Sequence, residues 1–287
     1  MTALRLRIPS RPVARPLCIL LLGQKDVYHS PEASPVVPNL EFLDLSTCGV
    51  IEGELEMILA RFRNLKHLII DGCAVLRAEI HQGEWGALGK RCALIGVHRA
   101  REREKELKAQ LEEGKVAALG SDGGPAQVNE PRRPRPGRRG LATPTISIRD
   151  RSSGIARSPG LPKPKIRILP FVSRLVTLAT TTTIGVEPCR HAAIRSEFEA
   201  GWTEGMAQLE VTYARLRTSS RHGVRLLRED GEAGLEDVDV DDDEAFVIAN
   251  DTPPILCLAG PTRNEHHVAN CGHLVGWSIW HETLEDI

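Results

Sequence analysis

Apolar residues recur with the same internal spacing in two windows of the chain, Leu40–Cys48 and Leu65–Cys73. Their sequences, LEFLDLSTC and LKHLIIDGC, are offset by 25 residues. Leucine or isoleucine occupies the first, fourth and sixth positions of each window, a spacing that predicts a short β-strand facing a shared core. A unit of this length cannot bury its apolar face alone. The repeat therefore predicts a stack of units, with a parallel ladder of strands in front and helices behind.

Two weaker copies of the spacing flank the central windows and would add one unit on each side. Their core positions are Leu17, Leu20 and Leu22 upstream, and Cys92, Ile95 and Val97 downstream. Residues 51–62 carry apolar residues at helical spacing, which predicts a helix that packs behind the strands. Cys48 and Cys73 are expected where the chain leaves each strand, with the thiol donating to a backbone carbonyl. The alternative is two ordinary buried thiols.

Both windows fit the pattern L-x-x-L-x-L-x-x-[N/C]. They resemble the cysteine-containing repeats of the ribonuclease-inhibitor-like superfamily, most closely the F-box/leucine-rich-repeat proteins. The segment EWGALGKRCALIGVHRAREREKELKAQLEE is also similar to the tail of fungal leucine-rich-repeat proteins, and the resemblance covers residues 17–115. It implies a short leucine-rich-repeat solenoid and a role in substrate recognition for ubiquitin ligation. The N-terminal MTALRLRIPSRPVARP is too short and too rich in proline for an F-box, which is therefore expected to be absent.

In such a ladder the outward strand positions would form an exposed face that selects a partner. Strand alternation assigns to this face Phe42, Asp44, Ser46, His67, Ile69, Asp71 and His98. The favoured function is therefore non-catalytic binding of another protein.

The rest of the chain predicts a division into three regions. Residues 98–113 interleave opposite charges at helical spacing and predict a solvated helix that ends a repeat domain, residues 1–118. Residues 119–164 are rich in glycine, proline and arginine and predict a disordered basic linker, either merely solvated or a nuclear-import patch. No aromatic residue is interleaved with the arginines, so nucleic acid is not an expected partner.

Residues 165–287 predict a small α+β segment. Its main element is a long amphipathic helix at 188–217, which would bury its stripe against residues 246–248 and 255–258 or against a partner. The stripe consists of Ile194, Phe198, Trp202, Met206, Leu209, Tyr213 and Leu216. An acidic loop follows at 229–244. The final GWSIWHETLEDI predicts a packed terminal strand or an aromatic contact surface.

Composition narrows the classes of protein. A net charge of −1 gives no general attraction to nucleic acid or to membranes. Low aromatic content, 4%, and 19 prolines argue that part of the chain lies outside a packed core. Seven scattered cysteines do not suit a disulfide framework and favour an intracellular location, cytoplasmic or nuclear. The longest apolar run, Leu17–Leu22, is too short to span a bilayer.

One group of residues offers chemistry: Cys257, His267, Cys271 and His273 are of the types that bind zinc. Their spacing, C-x9-H-x3-C-x-H, lacks a C-x2-C pair, so the ligands would have to be gathered from an extended loop at an entropic cost. His266 adjoins His267, and only one of the two is expected to join such a site. The spacing therefore predicts no metal, and no other cofactor is expected. The alternative is a zinc-stabilised C-terminal interaction module with the repeats as its platform.

Enzyme activity is not expected either. The sequence carries no Walker-type phosphate loop and no G-x-S-x-G elbow. A Cys/His nucleophilic pair would have to be created by folding.

Overall fold

The computed structural model describes residues 2–20, 39–73, 83–120, 165–181, 187–230, 234–238, 243–248, 252–262 and 265–285. The elements in chain order are β1 (Ala3–Arg5), α1 (Ala14–Leu20), β2 (Phe42–Asp44), α2 (Glu52–Arg61), β3 (His67–Ile69), α3 (Glu84–Ala93), α4 (Ile95–Gly120), β4 (Ile166–Ile168), β5 (Thr177–Ala179), α5 (Pro188–Arg221), β6 (Arg225–Asp230), β7 (Gly234–Asp237), a 3-10 turn (Asp243–Phe246), β8 (Ile255–Cys257) and α6 (Gly272–Glu285).

The main feature is a five-stranded parallel sheet whose strands follow one another in chain order, β1-β2-β3-β5-β8. The mixed α/β class and the parallel pairing of β2 with β3 are therefore confirmed. One row of side chains in register crosses the whole sheet on one face. Its members are fully buried except Leu4 at the sheet edge, which is partly buried. This row consists of Leu4, Leu43, Leu68, Leu178 and Leu256.

Both window cysteines lie where the chain leaves the strand, as predicted. The Cys48 Sγ donates to the carbonyl of Leu6 at 3.3 Å. The Cys73 Sγ donates to the carbonyl of Leu45, also at 3.3 Å. Each thiol thus bonds to the chain segment that follows the preceding strand, and the same contact recurs in two successive units.

The two outer units of the predicted ladder are wrong. Leu17 and Leu20 belong to helix α1, Cys92 belongs to α3, and Ile95 and Val97 belong to α4. The downstream window is helical because its buried residues follow a helical period, which a short apolar run does not distinguish from a strand. The strands that do flank β2 and β3 are β1 and β5.

Helices α2, α3 and α5 pack on the leucine row and share one apolar core with it. The predicted amphipathic helix is confirmed as α5, and the residues of its stripe from Ile194 to Tyr213 are buried. Phe246 packs edge-on against Tyr213 with ring centroids 6.3 Å apart, as expected. The principal neighbour is α3, however, where a Cβ on Gly89 would overlap the backbone of Phe198. Glycine permits this close approach of two helices.

The predicted division into residues 1–118 and 165–287 is not found. Strands β5 and β8 complete the sheet that β1, β2 and β3 begin, so residues 1–105 and 165–287 form one compact unit. A second unit comprises residues 106–164, of which the described part is the end of α4, residues 106–120. Most of the predicted linker, residues 121–164, lies outside the described residues.

A second sheet in the larger unit has the order β4-β6-β7, with β4 parallel to β6 and β7 antiparallel to it. Part of the predicted acidic loop is thus the β6–β7 pair. Among the described residues, no helix is long and apolar enough to cross a membrane.

Candidate metal centre

The predicted binding face is buried. Phe42, Asp44, Ser46, Ile69 and Asp71 are all inaccessible to solvent, and His67 is half-buried. His98 is exposed, but it belongs to helix α4 and not to a strand. The expectation of an exposed strand face is therefore wrong. Strand alternation fixes the side to which a residue points and leaves open what covers that side.

Helix α6 covers this face, in a segment for which the sequence predicted a packed terminal strand or an aromatic contact surface. Two glycines one turn apart bring its backbone close to the sheet. A Cβ on Gly276 would lie 2.8 Å from Phe42 Cζ, and one on Gly272 would lie 3.0 Å from Thr177 Oγ1. One turn further on, Trp280 packs edge-on against Phe42 with centroids 6.4 Å apart. The helical spacing of Gly272, Gly276 and Trp280 explains why this segment is a helix that lies on the sheet.

Asp44 shows how a charged residue is tolerated beneath α6. Its carboxylate accepts hydrogen bonds from Arg5 at 3.0 Å, from Arg7 at 2.8 Å and from the Ser46 hydroxyl at 2.6 Å. Burial alone would raise the pKa of Asp44. The hydrogen bonds from Ser46 and Arg7 outweigh burial and hold that pKa below its ordinary value. Arg5 also lies 4.6 Å from the centroid of the Trp280 ring.

The four zinc-type residues converge at one edge of the covered face. Cys257 ends β8, Cys271 directly precedes α6, His273 lies in the first turn of α6, and His267 comes from the loop between them. One ligand atom from each residue can be chosen so that all four lie within 4.8 Å of one another. His267 Nδ1 is 3.7 Å from both Cys257 Sγ and Cys271 Sγ, and His273 Nδ1 is 4.0 Å from Cys271 Sγ.

These separations approach those of a tetrahedral metal site. Zinc bound at about 2.3 Å to sulfur and about 2.0–2.1 Å to nitrogen holds its ligand atoms about 3.3–3.8 Å apart. The two separations of 3.7 Å lie within this range, and the third, 4.0 Å, is slightly longer. Two sulfurs and two imidazole nitrogens form the donor set typical of structural zinc.

The two histidines are oriented by their other ring nitrogens. His267 Nε2 lies 2.9 Å from the carbonyl of Thr262, and His273 Nε2 lies 2.6 Å from the Asp71 carboxylate. Both acceptors are oxygens, so each Nε2 carries a proton and donates it. In the neutral ring Nδ1 then has a lone pair, which in His267 lies 3.7 Å from both sulfurs. A histidine held in this way by an oxygen acceptor is the usual arrangement of metal-bound imidazole.

The loop that carries His267 is itself held in place. The Glu265 carboxylate accepts hydrogen bonds from the Gly260 backbone N–H and from the Thr262 hydroxyl at 2.8 Å. Both bonds lower the pKa of Glu265, and the bond from Thr262 makes the largest contribution. His266 is exposed and outside the cluster, so only one of the two adjacent histidines lies among the candidate ligands.

The candidate site is largely buried. Cys257 and Cys271 are fully buried, and His273 is 2% exposed. The Trp277 ring packs edge-on against His267 with centroids 4.9 Å apart. His267 is half-buried, so it is the member of the cluster nearest to solvent.

The pKa values of the two thiols in the site are shifted in opposite directions. The pKa of Cys271 is lowered, first by a hydrogen bond from Cys257 and then by the contact with His273. The pKa of Cys257 is raised, first by its hydrogen bond to Cys271 and then by burial. Burial alone would lower the pKa of His273, but Asp71 and Cys271 raise it to about 9. A ready thiolate is what a metal requires, because only deprotonated sulfur binds it.

Cys271, His273 and Asp71 also form a linear chain of thiol, imidazole and carboxylate, the order found in nucleophilic triads. The Cys271 sulfur, however, has no exposed surface on which a substrate could be attacked. A second imidazole also lies 3.7 Å from that sulfur. The arrangement therefore suits a bound cation better than a nucleophile.

The C-x9-H-x3-C-x-H spacing predicts no metal on the premise that the ligands come from an extended loop. That premise is wrong, because Cys257 belongs to β8, His273 belongs to α6 and Cys271 directly precedes that helix. Sequence reasoning found the four ligand types but missed Asp71 as their neighbour. Asp71 follows β3 and Cys257 ends β8, and the carboxyl ends of parallel strands meet at one edge of a sheet, which was the available signal.

No protein-family model matches the chain, and neither the search of curated proteins nor that of solved structures finds a match.

Proposed function

We propose that this protein binds one zinc ion through Cys257, His267, Cys271 and His273, and that the ion fastens helix α6 to the parallel sheet. The observation that carries the proposal is the convergence of two sulfurs and two Nδ1 atoms, with both Nε2 atoms engaged by oxygen acceptors. The ligand set crosses from β8 to α6. Metal binding would therefore stabilise the contact between the sheet and its cover.

The donor set favours zinc with a structural role. Thiolate and imidazole ligands suit zinc, whereas calcium and magnesium prefer oxygen. Four protein ligands fill a tetrahedron and leave no position for a water molecule or a substrate, which is the pattern of structural sites. Binding free energy at such a site contributes directly to folding.

The stabilised unit would serve as a scaffold that binds another protein. The 25-residue offset and the strands in chain order support a leucine-rich-repeat architecture, and such scaffolds bind macromolecules. Resemblance to F-box/leucine-rich-repeat proteins extends the proposal to substrate recognition in ubiquitin ligation. The partner would contact a surface other than the strand face, because α6 occupies that face.

Metal analysis of the purified full-length protein tests the zinc site. We expect about one equivalent of zinc by elemental analysis, lost in Cys271→Ala together with part of the thermal stability. Cys189→Ser is the matched control, since Cys189 is exposed at the start of α5 and outside the cluster. Zinc-free wild-type protein whose unfolding temperature is unchanged by added zinc would refute the proposal.

Alkylation separates this function from a nucleophilic one. With the metal bound, iodoacetamide is expected to modify Cys189 first and Cys271 only after a chelator is added. Rapid modification of Cys271 in the zinc-loaded protein would instead support a catalytic thiol.

A further inference from the structure

We propose that Asp71 is a positioning residue for the metal: its carboxylate fixes the tautomer and orientation of His273 so that Nδ1 faces the ion. This inference rests on the proposed zinc site. It makes a residue of the N-terminal repeat region part of a C-terminal metal centre, 202 positions away along the chain.

The contact between the two side chains is short and shielded. His273 Nε2 and Asp71 Oδ2 are 2.6 Å apart, and the two side chains are 2% and 4% exposed. Asp71 stands in the turn that follows β3, and Gly72 next to it adopts a positive φ of 65°. The turn directs the carboxylate under the first turn of α6, where His273 lies.

A comparison with Asp44 shows that the fold does not otherwise account for Asp71. Asp44 is equally buried, but Ser46, Arg5 and Arg7 satisfy its two carboxylate oxygens. In the described part of the chain, Asp71 Oδ1 is buried without a hydrogen-bond partner. A buried carboxylate that is left half-satisfied costs free energy, so each such group in a native protein calls for an explanation. Within the described residues, the one side chain bonded to the Asp71 carboxylate is His273, a candidate ligand.

The chemistry of the contact has two separable parts. The hydrogen bond holds the proton on Nε2 and leaves the Nδ1 lone pair for the metal. The negative charge of the carboxylate makes that lone pair a stronger donor. Asp71→Asn retains an oxygen acceptor and removes the charge, whereas Asp71→Ala removes both.

Competition with a zinc-binding dye, performed on the full-length protein, measures the affinity. We expect Asp71→Ala to bind zinc about 10–100-fold more weakly than wild type and Asp71→Asn to fall between the two. Asp44→Asn is the matched control, since it removes a similarly buried charge from the same sheet and contacts none of the four ligands in the described residues. Its affinity for zinc should equal that of wild type even if its stability falls.

The visible spectrum of bound Co²⁺ provides a second measurement, which would not change if Asp71 had a purely structural role. Co²⁺ bound to the wild type should show the visible absorption of a tetrahedral site, and we expect those bands to shift in Asp71→Ala and to stay unchanged in Asp44→Asn. Long-range ¹H–¹⁵N spectra of the zinc-loaded wild-type protein report the imidazole directly. They should show His273 protonated at Nε2, a measurement that needs no variant to fold.

The outcomes separate this inference from the proposed function. A wild-type protein that binds no metal would refute both the proposed zinc site and the role of Asp71. A wild type that binds zinc, with an equally tight Asp71→Ala variant or with His273 protonated at Nδ1, overturns the role of Asp71 alone. Equal losses of affinity in Asp71→Asn and Asp44→Asn would also overturn it, because buried charge in general would then be responsible.

Discussion

Replacing Gly276 with alanine should destabilise the protein, although alanine is the better helix former. A Cβ at this position would lie 2.8 Å from Phe42 Cζ, whereas carbon atoms in contact prefer about 3.5–4.0 Å. Phe42 is fully buried between α6 and the sheet, so it cannot swing aside freely. Overpacking of this kind costs about 1–3 kcal/mol, and the helix-forming gain of alanine offsets about 1 kcal/mol of it.

Gly53 provides the matched control for this substitution. It lies in helix α2, and a Cβ there would meet no atom within 4 Å. Gly53→Ala should therefore raise the free energy of unfolding by up to about 1 kcal/mol, whereas Gly276→Ala should lower it by up to about 2 kcal/mol. For a unit of this size each kcal/mol corresponds to about 2–4 °C in the melting temperature, which calorimetry resolves.

A second substitution locates the clash. Phe42→Leu removes the Cζ atom, so it should cost less stability in the Gly276→Ala background than in the wild type. A Gly276→Ala protein that melts at or above the wild-type temperature would show that α6 does not lie on Phe42. Additive effects of the two substitutions would contradict the proposed contact in the same way.

Three further outcomes follow from burial, charge and ring contact. Leu68→Asp should abolish the cooperative melt seen by circular dichroism, because an unpaired charge at a fully buried position costs several kcal/mol; a normal melt would remove the ladder. The pKa of Asp44 is depressed in the folded state, so its carboxylate stabilises the fold above the unfolded pKa of about 3.9, and this stability is lost as the pH falls through the folded pKa. The difference in unfolding free energy between wild type and Asp44→Asn should therefore shrink between pH 7 and pH 3, and a constant difference would refute the assignment. Chelator should change tryptophan emission in the wild type and leave Cys271→Ala unchanged, because Trp277 lies 4.9 Å from His267; equal responses would argue against a metal beside that ring.

The sequence predicted those elements whose apolar spacing is visible within one continuous segment. The windows ending at Cys48 and Cys73 became β2 and β3 with their adjoining turns, and the long apolar stripe became α5. In these segments the period of the core-facing apolar residues is enough to decide the element. The leucine core positions followed from the same rule.

The sequence failed where burial depends on distant residues. Strand β5 lies in LVTLATTTT, where Thr180 occupies the third core position that Leu45 and Ile70 hold in the central windows, so the repeat was not recognised. Asp44 looked exposed because its partners Arg5 and Arg7 come from an adjacent strand and the residues after it. The metal ligands were found by type, but their convergence depends on how β8 and α6 pack against each other.

The order of strands in the main sheet has a consequence for biosynthesis. Strands β1 to β3 leave the ribosome early, but the helix that covers Phe42 and Ile69 is made roughly 200 residues later. At a translation rate of about 5–20 residues per second, the face of the sheet that α6 later covers remains exposed to solvent for about 10–40 s. An apolar face exposed for that long can pair with other nascent chains. Slow translation or a lower growth temperature should therefore change the soluble yield of this protein more than its final stability.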